Sequence, residues 1–377
     1  MTRSIATHTP PKSRGVRLPF RVVLEPRLDT PKWLPWATTI GSIVVALVLT
    51  GLILLYVGGD PIASFRAIYL AAFGNLGVFS DTLVKATPLI LTGLACLIAF
   101  RMRLWNIGAE GQFYLGAWGA TLIVENVLGK DASPWLFLPL MIVSGFFFGA
   151  VWGFIPGILK ARLNVNEIIT TLMLNYIALF FVAYWVFGPW SERGFQLTPT
   201  FPRAAWLPRL TDYAAVFKPF SGLTIHLGFV LAVVAVAAVW YLLTYTRFGY
   251  EIRLIGDNPN AAKYAGVNIA MMTVMVFMIS GGLAGLAGMS EVAGVVHRLQ
   301  DRISPGYGFT AIIIAWLSKL NPWAVIPVAI LFGGLLIGSR EIQPSGIARM
   351  LQGILLFTLI SSEVLNRYRI KVARVAK

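Results

Sequence analysis

Apolar runs long enough to enter a lipid bilayer recur along this chain, separated mostly by short polar loops. Stretches such as 44–57, 90–99, 136–148, 168–187, 229–243, 271–289 and 325–337 are nearly free of charge. One soluble core cannot absorb so many of them. Charged residues make up 12% of the 377, against about 25% in an ordinary soluble domain. The expected fold class is therefore all-α, a polytopic transmembrane helical bundle.

A crossing helix needs roughly 20 residues. About ten segments are expected, near 34–57, 83–100, 107–127, 135–157, 166–188, 225–245, 269–289, 306–319, 322–340 and 347–365. The eighth is short and reads as a candidate re-entrant half-helix. Such backbone is tolerated at membrane depth only where protein covers it or it lines a cavity. The stretch 60–76 is open between an interfacial helix started by Pro61 and an ordinary loop.

The net charge of +15 would point to nucleic acid in a soluble protein. Here its distribution explains it without nucleic acid. With the N-terminus inside and sides alternating, the inner loops and tails hold 20 of the 31 Lys and Arg, and the outer side 11. About 5 acidic residues fall inside and 9 outside. This is the positive-inside bias, with both termini cytoplasmic. The chain divides into a basic tail over 1–32, a membrane domain over 33–365, and a second basic tail over 366–377. Within the membrane domain lie an outer loop, 188–222, and an inner loop, 246–268. The first 32 residues lack an apolar signal core and read as a retained tail.

Several function classes drop away. The single Cys96 lies in an apolar run, so no disulfide framework exists. His8, His226 and His297 show no metal-ligand spacing, and no cluster resembles a membrane enzyme's centre. No GxxxxGK[ST] is present, so if the protein works actively its energy comes from a partner subunit or an ion gradient. An ion-driven carrier calls for carboxylates deep in several spans. Only Glu110 and Glu167 are candidates, both near span starts.

Three polar stretches stand out. In Asn106-Ile-Gly-Ala-Glu110-Gly-Gln112, followed by Tyr114, amides and a carboxylate sit in an apolar neighbourhood. Such groups face a pathway, a cavity or a partner, or else Glu110 caps the start of its own helix. Asn166 and Glu167 suit an N-cap and first turn. Asn175 lies about 12 Å deeper and serves either as a bundle tie or as a hydrogen bond to cargo. The substrate-pathway candidates are thus Asn106, Glu110, Gln112, Tyr114, Glu167 and Asn175, with Phe113, Tyr114 and Tyr176 as possible stacking faces. The third stretch runs from Arg247 to Gly266. There Asp257 or Asn258 caps a short helix, Pro259 stands in its first turn and Gly266 ends it. Ala261, Ala262, Tyr264 and Ala265 would meet a groove on a soluble partner, unless the helix merely packs on the bundle.

Residues 106–117, 164–167 with Asn175, 247–249 and 256–266 together resemble the permease subunits of ABC importers of the branched-chain amino acid and simple-sugar permease family. Among these they look most like the nucleoside-type permeases. The resemblance covers residues 35–365. It implies a second similar or identical permease subunit, a cytoplasmic ABC ATPase that binds MgATP, and an extracytoplasmic substrate-binding protein. It implies no cofactor and no catalytic centre in this chain. It also makes residues 256–266 the helix that seats on the ATPase. The expected cargo is a nucleoside, with a simple sugar or branched-chain amino acid as the alternative.

Overall fold

The computed structural model describes residues 20–27, 31, 33–129, 131–341 and 346–374. Most of the first basic tail and the last three residues of the second lie outside that set. Among the described residues the chain forms, in order, β1 (Phe20–Pro26), α1 (Leu34–Tyr56), α2 (Pro61–Phe73), α3 (Leu76–Arg101), α4 (Ala109–Leu122), α5 (Pro134–Leu163), α6 (Glu167–Phe187), α7 (Leu227–Tyr245), α8 (Arg247–Asp257), α9 (Pro259–Tyr264), α10 (Ile269–Glu291), α11 (Tyr307–Leu317), α12 (Pro322–Gly338), α13 (Ile347–Arg367) and β2 (Tyr368–Arg374). Short π-helical turns, Ile123–Val127 and Val292–Val296, extend α4 and α10.

The helix boundaries follow local chemistry. Asp60, Asn75, Asn166, Asn258, Asn268 and Asn321 each accept first-turn amides, satisfying donors that no helix can satisfy internally. Pro61, Pro134, Pro259 and Pro322 occupy first positions, where the missing N–H costs nothing. The stretch left open between helix and loop is helical, as α2.

Among the described residues, six helical stretches are long and apolar enough to cross a membrane: Ala37–Tyr56, Leu76–Arg101, Pro134–Leu163, Glu167–Phe187, Leu227–Tyr245 and Ile269–Val296. Three more apolar helices, α2, α11 and α12, are shorter. The bundle is polytopic and helical, while the number of full crossings is not fixed at ten by length and composition.

The chain forms two compact units, Ala46–Leu356 and a smaller one made of Met1–Val45 with Phe357–Lys377. In the smaller unit β1 pairs antiparallel with β2, Phe20 opposite Arg374 and Pro26 opposite Tyr368. This pairing was not foreseen in stretches read only as basic tails. In the larger unit the centre is α3, 89% buried over its apolar window, whereas α6 is 22% buried and lies on the rim. Helix α10 packs against α4 and α5 through glycines. A Cβ at Gly116 would overlap the Gly285 backbone, one at Gly149 the Gly281 carbonyl, and one at Gly288 the Phe113 carbonyl. Small residues let backbones meet where lipid provides no hydrophobic drive for association.

Candidate translocation and coupling sites

The stretch 102–108 turns back into the protein after α3, so α4 begins deep inside the unit. Asn106, fully buried, fixes that depth. Its Nδ2 donates to Gln112 Oε1 at 2.9 Å and to Ser280 Oγ at 2.8 Å, and Ser280 Oγ donates to the Ala95 carbonyl at 2.6 Å. Ser280 is near the midpoint of α10, about 16 Å from either end at 1.5 Å per residue. Asn106 Oδ1 accepts the Gly108 amide at 3.0 Å.

Helix α4 has no side-chain cap of its own. Asn175 of α6 supplies one, accepting the Gly111 amide at 2.8 Å while its Nδ2 donates to the Ile107 carbonyl at 2.9 Å. Glu110 does not cap α4. Its Oε2 accepts the Gly308 amide at 2.6 Å, in the first turn of α11. A Cβ at Gly308 would overlap the backbone of Glu110. Two helices therefore start against each other inside the unit, and each receives a cap from another element. Helix α11 has 11 residues, about 16 Å long and roughly half the 30 Å hydrocarbon.

The structure thus brings together Asn106, Glu110, Gln112 and Asn175, all buried, with their amides bonded to the chain itself. Tyr114 joins them, its hydroxyl accepting the Ser304 amide at 3.4 Å. Phe113 and Tyr114 are buried, while Tyr176 is exposed. Glu167 lies apart at the start of α6, paired with Lys160 at 3.0 Å.

A neighbouring group escaped the sequence reading. Lys85 of α3 meets Glu291 at 2.7 Å and the Tyr307 hydroxyl at 3.1 Å, and that hydroxyl lies 3.3 Å from both Glu291 oxygens. The available signal was the position of Lys85 and Glu291 inside apolar stretches, where an unpaired charge is costly.

The long loop 188–226 is tied down by backbone bonds. Thr198 donates to Leu299 at 2.8 Å, Phe201 to His297 at 2.8 Å and Leu207 to Ala293 at 2.9 Å. Trp206 stacks on His297 at 3.6 Å between centroids, and Arg209 Nη2 lies 2.7 Å from His297 Nε2. Burial, helped by the Arg209 charge, pushes His226 down to about 3 and His297 down to about 4.

The expected short helix after Asn258 forms as α9, with Asn258 Oδ1 accepting the Asn260 and Ala261 amides. Tyr264 is 94% exposed and Ala262 is 0% exposed. Ala265 and Gly266 are exposed as well, and Gly266 has φ +75°, the left-handed geometry of a helix terminator. Expecting all four side chains to face a partner needs one correction. Ala262 is packed against the rest of the chain, because a helix this short shows one face to its own bundle.

A family model described as branched-chain amino acid transport system / permease component matches residues 78–360. The chain belongs to this family. It is similar to the glucose ABC transporter permease protein TsgB13 of Haloferax volcanii, at 34% identity over 93% of each chain. It is also similar to the guanosine ABC transporter permease protein NupP of Bacillus subtilis, 33% identical over 85% of this chain and 92% of that one. The nucleoside ABC transporter permease protein NupB of Lactococcus lactis is 31% identical over 81% and 84% respectively. The family and the apolar helices make this chain a membrane permease component, and the resemblance to the nucleoside-type subgroup holds.

Proposed function

We propose that this chain is the permease subunit of an ATP-driven importer that moves nucleosides across the cytoplasmic membrane by alternating access. It sits in the membrane through about ten segments, with both termini inside and α11 a half-length element. It works with a second similar or identical permease, a cytoplasmic ABC ATPase that binds and hydrolyses MgATP, and an extracytoplasmic binding protein. The exposed side of α9, with Tyr264, Ala265 and Gly266, seats on the ATPase, and Asn258, Pro259 and Ala261 hold that helix in shape. Glu110, Asn106, Gln112, Tyr114 and Asn175 set α4 and α11 beside the pathway, while Glu167 fixes the start of α6.

The observation that carries the nucleoside reading is the open face of α6. Tyr176, Phe180 and Tyr184 follow one another at four-residue spacing and are 57%, 71% and 65% exposed. Spacing of that kind aligns them on one stripe, offering flat faces to a flat base. Relatives that carry guanosine and nucleosides support it. The glucose relative keeps a simple sugar as the second reading.

The test is uptake by proteoliposomes holding both permeases and the ATPase, with the binding protein added outside. Guanosine, uridine, glucose and leucine are offered in turn with ATP inside. ATP-dependent uptake of a nucleoside supports the proposal, and uptake of glucose or leucine alone overturns it.

A further inference from the structure

Helix α11 is held at both ends by groups from other elements, the long loop on one side and the α8–α9 corner on the other. The segment before it, 297–306, is bonded to the long loop: besides the contacts of Thr198 and Phe201, the Asp301 amide donates to the Gln196 carbonyl at 3.2 Å. Its first turn is pinned by Glu110 and by the Lys85–Glu291–Tyr307 group. Its last turn is closed by Leu320, whose amide donates to the Ala315 carbonyl at 3.1 Å.

That closure is unusual. Lys319 and Leu320 both have positive φ, +52° and +57°, a region uncommon for residues other than glycine. The Leu320 carbonyl then receives two bonds from one guanidinium, Arg101 Nε at 3.1 Å and Nη2 at 2.8 Å. Arg101 is the last residue of α3. Its own carbonyl lies against Gly256 of α8, so close that a Cβ there would overlap it. Only Asp257 and Asn258 separate Gly256 from α9.

We propose that Arg101 is a positioning residue for transport: it is the joint through which α8 and α9 move α11, and so link ATP hydrolysis to the pathway. This rests on α9 being the ATPase seat. Arg101 holds the Leu320 carbonyl with its guanidinium and abuts α8 with its main chain, so a shift of α8 is passed to the end of α11. The left-handed pair at 319–320 turns the Leu320 carbonyl at the end of α11 toward Arg101.

The test uses the reconstituted importer and measures guanosine uptake and ATP hydrolysis in the same vesicles. Arg101→Gln should lower the guanosine carried per ATP by about tenfold, within the usual range of coupling between sites, with hydrolysis little changed. Arg101→Lys, which keeps a donor and the charge, should recover part of the ratio. Gly256→Ala pushes α8 off the Arg101 carbonyl without touching α11 and should uncouple in the same way. A wild-type ratio in Gly256→Ala, or uptake and hydrolysis falling by the same factor in the variants that assemble, overturns the proposal. If Arg101→Gln does not assemble, Arg101→Lys and Gly256→Ala decide. Failure of the parent reading looks different: the unaltered importer would then carry no guanosine, or Tyr264→Ala would leave ATPase binding intact.

Discussion

Residues 106–112 and 258–266 have similar chemistry on paper, with amides, glycines, alanines and a single charge in each. The first stretch is buried within the protein. Asn106 bonds Gln112, Ser280 and the Gly108 amide, and Asn175 of α6 reaches in to the Ile107 carbonyl and the Gly111 amide. The second stands at an end of the unit, and Asn258 serves only its own helix, leaving Tyr264 open. The difference lies in what the rest of the fold brings alongside. A polar stretch that meets polar partners becomes a structural tie. One that meets none remains free for another molecule.

If the buried middle is a tie, breaking it should cost stability before it costs transport. The largest effect is expected at Glu291→Leu, which takes the carboxylate from Lys85 and leaves it only the Tyr307 hydroxyl. Losing one partner of a buried pair costs about 3–5 kcal/mol, so the variant should be largely absent from the membrane fraction. Full recovery of folded protein would show that the pair is solvated. Next comes Asn106→Ala, which strips partners from Gln112, Ser280 and the Gly108 amide. At about 1–3 kcal/mol for each buried group left unpaired, it should lower the detergent melting temperature well below that of Tyr264→Ala.

Ala262→Trp sharpens the other side of the comparison. Because Ala262 faces the permease, overpacking there should cost about 1–3 kcal/mol of permease stability, seen as a lower melting temperature without any ATPase present. Tyr264→Ala should leave that temperature unchanged and weaken ATPase binding in a pull-down. An unchanged melting temperature for Ala262→Trp would place α9 off the bundle.

The smallest effect concerns the long loop. His226 and His297 bind protons less readily when folded than the usual value near 6.5, with folded values of about 3 and 4. The unfolded chain therefore holds more protons between about pH 6.5 and 4, and stability falls as pH drops through that window. Limited proteolysis within 188–226 should accelerate from pH 7 to pH 5. His226→Gln with His297→Gln should flatten that dependence, and an equally steep profile in the double variant would contradict it.

Much of this was legible in the sequence, because span boundaries rest on local apolar runs and caps. Segments near 34–57, 166–188, 225–245 and 322–340 correspond closely to α1, α6, α7 and α12, and the short α9 follows from Asn258, Pro259 and Gly266. The eighth segment read as short and is an 11-residue helix. What was not legible depends on contacts between distant positions. Glu110 was open between a pathway group and a cap on its own helix, and its partner is Gly308, 198 residues away. Asn175 had no local purpose because the helix it caps is α4. The β1–β2 pairing joins opposite ends of the chain and leaves no local signal beyond alternation in two short stretches.

The comparison reduces to accessibility, and cysteine labelling measures that directly. The native Cys96 is fully buried, so the unaltered chain provides a silent background. Inside-out membrane vesicles carrying Tyr264→Cys or Gln112→Cys, with and without the ATPase bound, are treated with a membrane-impermeant maleimide. The account predicts rapid labelling of Tyr264→Cys that the ATPase blocks, and no labelling of Gln112→Cys in either state. Labelling of Gln112→Cys together with an unprotected Tyr264→Cys would contradict it, exchanging the roles assigned to the two stretches.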